Sequence, residues 1–175
     1  MQTLEADVRR CIRDVADFPK TGILFKDITP ILMDPELMAR IMDWMAEEGE
    51  GIDRIVAIES RGFLFSTGLA ERVGAPAAPA RKAGKLPWKT VGKSYELEYG
   101  TARLELHTDA VRPGDKVLIV DDLLATGGTA EAAVDLVRQL GGTVVCCTFL
   151  IELVFLPGRQ RLAELGVPVR SLVTY

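Results

Sequence analysis

Near the N-terminus, the spacing of hydrophobic and polar residues changes from that of a helix to that of a loop. From Thr3 to about Val15 the apolar positions lie three and four residues apart, which predicts an amphipathic helix. The segment Asp17 to Pro30 contains two prolines and one glycine and is predicted to be a loop. Asp34 followed by Pro35 is typical of a helix start, and this second helix is predicted to end near Glu48.

From residue 55 onward, short apolar runs alternate with helical patterns. Residues 55–58 and 77–81 are predicted to be strands, and residues 63–73 a helix with Leu64, Leu69 and Val73 facing inward. The alternation continues to the C-terminus, with strands predicted at 116–120, 144–150 and 169–173 and helices at 129–140 and 157–165. Strands that alternate with helices in this way predict an α/β fold with a mostly parallel sheet flanked by helices.

The middle of the chain has a different pattern. Lys82 to Ser94 is polar, with two glycines and one proline, and is predicted to be a mobile loop. Apolar and polar residues then alternate from Tyr95 to His107, which predicts a pair of antiparallel strands.

Composition and charge narrow the possible classes of protein. The 175 residues, 48% of them hydrophobic and 26% charged, fit one compact domain with a sizeable core. A formal charge of -4 argues against a general nucleic-acid binder, although a local cluster of Lys and Arg could still bind an anionic substrate. No apolar stretch approaches the length that is needed to cross a bilayer.

The cysteines and the single histidine exclude several kinds of site. Cys11, Cys146 and Cys147 show no metal-ligand spacing, and no signal peptide is recognised, so we expect reduced core thiols in a cytoplasmic protein. Because His107 is the only histidine, neither a histidine-centred triad nor a multi-histidine metal site can be built.

The stretch Val117–Ala130, VLIVDDLLATGGTA, carries the clearest chemical signal. A glycine-rich turn that enters a helix from the carboxyl end of a strand directs unpaired N–H groups at an anion, and this predicts a phosphate site. Two carboxylates would repel phosphate, so Asp121 and Asp122 suit the two hydroxyls of a ribose. The stretch therefore predicts a ribose-phosphate clamp, and it matches neither a P-loop nor the dinucleotide-binding fingerprint.

This clamp resembles the phosphoribosyl pyrophosphate signature of the type I phosphoribosyltransferases. Other blocks resemble the adenine phosphoribosyltransferase family, in the same order along the chain. They are DFPKTGILFKDITPIL at 17–32, ESRGFLF at 59–65, RKAGKLP at 81–87 and SYELEYG at 94–100. The resemblance extends from about residue 17 to the end of the chain.

The resemblance implies a fold, an activity and a cofactor. The fold would be the type I phosphoribosyltransferase fold, a single domain over residues 1–175 with a base-binding hood segment at 17–32, a mobile loop at 82–99 and a phosphoribosyl pyrophosphate loop at 117–130. The activity would be the transfer of phosphoribose from phosphoribosyl pyrophosphate to adenine, giving AMP and pyrophosphate in purine salvage. Mg²⁺ would be held mainly through the substrate, and the chain would form a homodimer that binds neither nucleic acid nor membrane.

The resemblance also implies roles for individual residues. Glu98 would accept the proton that adenine loses, and Tyr99 would close over the substrate with the loop. The remaining residues fall into four groups: Asp121 and Asp122 for the ribose; Ala125, Thr126, Gly127, Gly128 and Thr129 for the 5-phosphate; Ser60, Arg61, Lys82 and Lys85 for the pyrophosphate; and Leu24, Phe25 and Lys26 for adenine.

Three alternatives remain open at the level of sequence. The chain could be a phosphoribosyltransferase for another base, such as hypoxanthine, guanine, xanthine or orotate. It could be a ligand-sensing regulator that binds DNA, but about sixteen residues before the first matching block are expected to be too few for a DNA-binding module. It could also be a binding module without catalytic activity.

Overall fold

The computed structural model describes residues 3–96 and 101–175. The chain divides by its contacts into two compact units, Met1–Trp44 and Met45–Tyr175. Glu98 and Tyr99 lie outside the described residues, so their roles stay predictions. The organisation as a single domain also stays a prediction. No helix within 3–96 and 101–175 combines the length and the apolar character that a membrane span requires.

The first unit contains a short helix, a two-stranded hairpin and two further helices. In chain order they are α1 (Leu4–Cys11), β1 (Arg13–Ala16), β2 (Leu24–Asp27), α2 (Thr29–Leu32) and α3 (Pro35–Ala46). Thr3 caps α1 by accepting a 3.3 Å hydrogen bond from the amide of Ala6. The predicted start of α3 is confirmed, since Asp34 Oδ1 accepts a 3.0 Å hydrogen bond from the amide of Leu37.

The prediction for residues 3–30 was wrong in two respects. The first helix ends at Cys11 because Ile12 is extended, with φ −69° and ψ 128°, and the chain continues into β1. The segment Asp17 to Pro30 is not only a loop, because β2 pairs antiparallel with β1 over four residues and α2 follows. Pairing with a partner eight to fourteen residues away overrode a local helical spacing.

The second unit is built on one sheet. Its elements are β3 (Arg54–Ile58), α4 (Phe63–Val73), β4 (Ala77–Lys82), β5 (Thr90–Glu96), β6 (Thr101–His107), β7 (Lys116–Leu124), α5 (Gly128–Gln139), β8 (Thr143–Glu152), α6 (Gly158–Glu164) and β9 (Val169–Thr174). The strand order is β5-β6-β4-β3-β7-β8-β9. In this order, the strands β4, β3, β7, β8 and β9 run parallel to their neighbours. Strand β6 pairs antiparallel with both β4 and β5. The predicted fold class, a mostly parallel sheet with flanking helices, is confirmed.

Three details of this unit differ from the prediction. Strand β5 begins at Thr90, so part of the predicted loop at 82–94 is a strand that pairs with β6. Leu64 is 48% exposed, and the inward positions of α4 are Phe65 and Leu69. Strand β7 continues through both aspartates to Leu124, because β8 remains paired with it as far as Glu152.

The register of the central strands brings two connecting segments to one edge of the sheet. Strand β3 pairs in parallel with β7, with Ala57 opposite Val120. The segment after β3 therefore leaves the sheet beside Asp121 and Asp122, at the edge where ligands bind in folds of this kind. The apolar side chains at 55–58 and 117–120 are buried, which fixes the position of both strands.

Candidate active site

A cavity of about 90 Å³ opens at the carboxyl end of β7. Its lining includes the whole turn at 125–129, called the phosphate loop below, together with Asp121, Leu123, Leu124, Ala130 and Phe149. The structure thus brings the five residues that were predicted for the 5-phosphate around one small cavity. Leu123 and Phe149 were not predicted; the sequence marked them only as parts of apolar runs.

The backbone of the phosphate loop is shaped by glycine. Gly127 has φ +82°, a conformation that side chains rarely adopt, and helix α5 begins at the next residue without a side-chain cap. The first amides of a helix have no partner within it, so the start of α5 presents N–H groups and the positive end of the helix dipole. This arrangement suits a phosphate group.

Asp121 and Asp122 interact directly at the end of β7. The amide of Asp122 donates a 2.8 Å hydrogen bond to Oδ1 of Asp121. Asp122 Oδ2 lies 2.8 Å from Arg61 Nη2, an ion pair that is not aligned as a hydrogen bond. Burial raises the pKa of Asp121 well above its ordinary value, and the charge of Asp122 adds to the effect. Burial also raises the pKa of Asp122, although the Arg61 guanidinium opposes the shift.

The segment after β3 approaches these aspartates closely because residue 62 is a glycine. A methyl group on Gly62 would lie 2.5 Å from the carbonyl oxygen of Ile58 and 3.0 Å from Oδ1 of Asp121. At the start of this segment, the peptide bond between Glu59 and Ser60 is cis. Arg61 reaches Asp122 from this turn, so the structure brings one predicted pyrophosphate residue next to the predicted ribose residues.

Glu59 is a functional candidate that the sequence did not reveal. Its carboxylate is 8% exposed and accepts hydrogen bonds from Lys85 Nζ at 2.5 Å and from the Lys82 amide at 2.9 Å. Arg81 Nε lies 3.4 Å away. Burial would raise the pKa of Glu59, but the hydrogen bonds from Lys85 and from the Lys82 backbone outweigh it, and the pKa is lowered.

The structure therefore places the predicted pyrophosphate cations in two groups. Arg61 forms an ion pair with Asp122. Lys85 forms an ion pair with Glu59, which also accepts a hydrogen bond from the backbone amide of Lys82. Ser60 contributes its carbonyl oxygen to the turn, where it accepts a 3.3 Å hydrogen bond from the amide of Phe63. The signal that could have found Glu59 is its position directly after a buried strand, beside a block that already carried Arg61.

The predicted adenine residues lie on β2, in the first unit. Leu24 is 52% exposed, Phe25 packs edge-on against Phe18 with ring centroids 5.1 Å apart, and Lys26 is nearly buried. Lys26 Nζ lies 2.7 Å from Oδ1 of Asp14 on β1. Because side chains alternate along a strand, Phe25 points to the face opposite that of Leu24 and Lys26. The three side chains are therefore divided between the two faces of β2, and their role at adenine stays a prediction.

The last described residues of β5 lie against the phosphate loop. A methyl group on Gly128 would lie 3.2 Å from the carbonyl oxygen of Glu96 and 3.4 Å from Cδ2 of Tyr95. Lys93 on the same strand forms a 2.6 Å ion pair with Asp135 of α5. These contacts were not predicted: Lys93 lies in the segment 82–94 that was predicted to be a loop, and nothing local in the sequence links Tyr95 and Glu96 to the phosphate loop.

The described residues contain no cluster of three or more His, Cys, Asp or Glu side chains that could hold a metal ion. The carboxylates of Asp121 and Asp122 offer oxygen ligands of the type that Mg²⁺ prefers. Two carboxylates are enough, because Mg²⁺ often takes only one or two from the protein and completes its coordination shell with substrate phosphates and water. The donor set fits a magnesium ion that arrives with a phosphorylated substrate.

The fold and this edge of the sheet define a class of protein. Residues 29–164 match the phosphoribosyl transferase domain, and the chain belongs to that family. It is 53% identical to the adenine phosphoribosyltransferase of Thermobifida fusca over 169 residues, 95% of each chain. Within the family, the chain is therefore a member of the adenine phosphoribosyltransferases.

Solved structures give the same result. The crystal structure of adenine phosphoribosyltransferase from Thermoanaerobacter pseudethanolicus is 50% identical, with a TM-score of 0.93 over 99% of this chain and 100% of that chain. The enzyme from Saccharomyces cerevisiae, crystallised with an imino-altritol bisphosphate and adenine, is 40% identical, with a TM-score of 0.90 over 97% of this chain and 98% of that chain.

Proposed function

We propose that this chain transfers the 5-phosphoribosyl group from phosphoribosyl pyrophosphate to adenine and releases AMP and pyrophosphate, a reaction of purine salvage. The observation that carries the proposal is the phosphate loop, which leads into the uncapped start of α5 and is separated by two residues from the partly buried Asp121 and the buried Asp122. Adenine is chosen as the base because the chain belongs to the adenine phosphoribosyltransferases, and the yeast relative was crystallised with adenine.

The phosphate loop and the aspartates would hold the two ends of ribose 5-phosphate. Amides of Ala125, Thr126, Gly127, Gly128 and Thr129, with the two threonine hydroxyls, would donate to the 5-phosphate. Asp121 and Asp122 would accept from the ribose hydroxyls. Their raised pKa values are consistent with this role, because a buried carboxylate gains most from a donor that arrives with the substrate.

The pyrophosphate would be released toward the segment after β3. Displacement at C1 of the ribose builds positive charge on the sugar and requires stabilisation of a highly charged leaving group. Ser60, Arg61, Lys82 and Lys85 would supply that stabilisation. Arg61 and Lys85 lie on Asp122 and Glu59. Binding of the leaving group would therefore be an exchange of carboxylate partners for phosphate oxygens.

Mg²⁺ would enter with phosphoribosyl pyrophosphate and be held mainly through it. The protein groups that suit it are the carboxylates of Asp121 and Asp122. When bound, the ion would neutralise charge on the departing pyrophosphate. The chain's own part is to hold the ribose hydroxyls and to present cations to the pyrophosphate.

The residues that would bind adenine and accept its proton are predictions from the family resemblance. Leu24, Phe25 and Lys26 would contact adenine, with backbone polar groups of β2 recognising its edge. Glu98 would accept the proton from the attacking nitrogen, directly or through water. Tyr99 would help to exclude water, which otherwise competes as a nucleophile. Strand β5 supports this assignment, because its last described residues lie against Gly128.

Assembly and location are proposed from the resemblance to the family. We propose a homodimer, which light scattering of the purified chain tests directly. We place the enzyme in the cytoplasm, where its three free cysteines would remain reduced.

One assay tests the proposed function. The purified chain, with Mg²⁺ and phosphoribosyl pyrophosphate, should convert adenine to AMP and should turn over hypoxanthine, guanine, xanthine and orotate far more slowly. Preference for one of those bases would overturn the choice of adenine. Binding of the sugar substrate without any product would favour a binding module, and binding to DNA that weakens with salt would favour a regulator.

A further inference from the structure

Glu152 is a buried carboxylate for which the proposed reaction has no direct use. It is 2% exposed and stands at the end of β8, opposite Leu124 in the sheet register. The next amide, that of Leu153, donates a 2.9 Å hydrogen bond to the carbonyl oxygen of Leu124. Since the phosphate loop begins directly after Leu124, the carboxylate lies beside the strand end that carries the loop.

Arg159, on the first turn of α6, binds this carboxylate with both arms of its guanidinium. Nε lies 2.7 Å from Oε1 and Nη2 2.5 Å from Oε2, while Nη1 donates a 3.0 Å hydrogen bond to the carbonyl oxygen of Val169. A bidentate pair of this kind fixes direction as well as distance. The hydrogen bond from Arg159 lowers the pKa of Glu152 although burial opposes the shift, so the pair remains charged at neutral pH.

The residue before Arg159 touches the phosphate loop. A methyl group on Gly158 would lie 2.4 Å from the carbonyl oxygen of Ala125, and a methyl group on Gly127 would lie 2.9 Å from Cα of Gly158. The contact is made by backbone atoms, with no flexible side chain between them. Any displacement of the start of α6 would therefore move the phosphate loop directly.

We propose that Glu152 and Arg159 are positioning residues for the 5-phosphate: their ion pair holds the start of α6 against Ala125 and Gly127, and so fixes the direction of the loop amides. The inference rests on the proposed function, because it assumes that the 5-phosphate binds in this loop. It assigns to the pair a role in ligand geometry beyond stability alone. Misplacement of about 1 Å at such a site can cost on the order of a hundredfold in rate.

The experiment compares two ligands that use different parts of the site. Ribose 5-phosphate requires the phosphate loop, whereas pyrophosphate requires the segment after β3. Affinities for both are measured calorimetrically with Mg²⁺ on the full chain, for the wild type, Arg159→Gln, Arg159→Lys and Glu152→Gln. Arg170→Gln is the control, because it breaks ion pairs of an arginine with Glu47 and Glu48 on the same unit, in a region with no assigned role.

We expect Arg159→Gln to weaken ribose 5-phosphate binding about tenfold or more, the equivalent of one good charge-assisted hydrogen bond, with little change for pyrophosphate. Arg159→Lys should fall between it and the wild type, since a lysine keeps the charge but loses the fork. In steady-state kinetics, KM for phosphoribosyl pyrophosphate should rise while KM for adenine holds. Arg159→Lys keeps a positive charge beside the buried carboxylate, so it tests the pair even if Arg159→Gln or Glu152→Gln fails to fold.

Unchanged affinity for ribose 5-phosphate in Arg159→Gln would overturn the inference. Equal weakening of both ligands, or the same loss in Arg170→Gln, would also overturn it, because both results indicate general destabilisation. A wild type that binds no ribose 5-phosphate would instead refute the proposed function, together with the inference that depends on it.

Discussion

Gly127 shows how a single residue connects the conformation of the phosphate loop with the packing behind it. Its φ of +82° is open to glycine and costly for other residues. Space is a separate constraint, since a methyl group there would lie 2.9 Å from Cα and 3.1 Å from the carbonyl oxygen of Gly158. Both are backbone atoms, and Gly158 is itself packed on Ala125, so neither can move aside easily.

We therefore expect Gly127→Ala to reduce kcat/KM for phosphoribosyl pyrophosphate on the order of a hundredfold, because the loop amides would be displaced. Gly74→Ala is a matched control. Gly74 also has a positive φ, +71°, but a methyl group on it would meet nothing within 4 Å. The Gly74→Ala variant should lose about 1–2 kcal/mol of unfolding free energy and keep its activity. Equal activity of the two variants would show that the contact with Gly158 does not shape the site.

The burial of Asp121 makes a prediction about pH. Its pKa is raised in the folded chain, so the folded state binds more protons than the unfolded state as pH rises from about 3.9, the ordinary value, to the folded pKa. The free energy of unfolding must fall across that window and stays lowered above it.

Asp121→Asn should consequently raise the melting temperature at pH 7, and the gain should shrink as pH falls below the window. The asparagine oxygen can still accept the hydrogen bond from the Asp122 amide. Asp122→Asn should stabilise less, because it removes the ion pair with Arg61. Both variants should bind ribose 5-phosphate more weakly, an exchange of activity for stability that is common at functional sites. Thermal unfolding of the three proteins between pH 4 and 8 measures the difference; no gain for Asp121→Asn would contradict it.

At the scale of elements, the turn after β4 is attached to the segment after β3 by one carboxylate. Glu59 accepts hydrogen bonds from the Lys82 amide and from the Lys85 ammonium, and so connects the two segments. If Lys85 leaves Glu59 for pyrophosphate, Lys85→Met should raise KM for phosphoribosyl pyrophosphate about tenfold, the loss of one charge-assisted contact.

The control for Lys85→Met is Lys116→Met, which removes a lysine at the opposite end of the sheet, where β7 begins. Pyrophosphate affinity should fall in Lys85→Met and hold in Lys116→Met, while KM for adenine should change little in either. If both variants lose affinity equally, the effect belongs to net charge and not to the turn.

Long elements with a clear period could be predicted from sequence, and short ones that depend on a distant partner could not. The buried strands β3, β7 and β8 and helix α5 each contain a continuous local pattern, and each was confirmed, although β7 continues beyond its predicted end to Leu124. Strands β1 and β2 have four residues each, and only their mutual pairing distinguishes them from a helix end and a loop. The first part of strand β5, residues 90–94, was missed for the same reason, since its pairing with β6 outweighs the glycine and polar residues within it.

The candidate site divides in the same way. The phosphate loop and the two aspartates are contiguous, and the turn chemistry of that stretch is visible in the sequence. Glu59 lies 26 residues from Lys85, and only the parallel packing of β3 and β4 brings them together. Glu152 and Arg159 are only seven residues apart, but their connection to the site depends on the backbone contact of Gly158 with Ala125, which the sequence does not show.

For the whole molecule, net charge and local charge point in opposite directions. A chain of formal charge -4 is proposed to bind two highly anionic compounds. The resolution is local: amides at the start of α5 and the cations Arg61 and Lys85 supply positive potential at one edge of the sheet, and buried acids hold the cations in place. Such a distribution favours a specific small anion over an extended polyanion, which would meet the acidic remainder of the surface.

The two cysteines of β8 report on opening of the second unit as a whole. Cys146 is 1% exposed and Cys147 fully buried. Burial raises the pKa of Cys146 to about 11 and that of Cys147 still further. Because the thiolate is the reactive form, a thiol reagent should label Cys11, which is half-buried, first, and should reach the other two only when the sheet opens.

A ligand that binds only the folded state should slow this labelling by mass action. AMP at a hundred times its dissociation constant adds about 2.7 kcal/mol, so the slow phase should slow by roughly a hundredfold when opening is a rapid pre-equilibrium. Adenosine, which lacks the phosphate, should have far less effect, and Cys11→Ser should remove the fast phase and leave the slow one. If Cys146 and Cys147 react as fast as Cys11 in the native protein, then β8 is not part of a core that opens only with the unit.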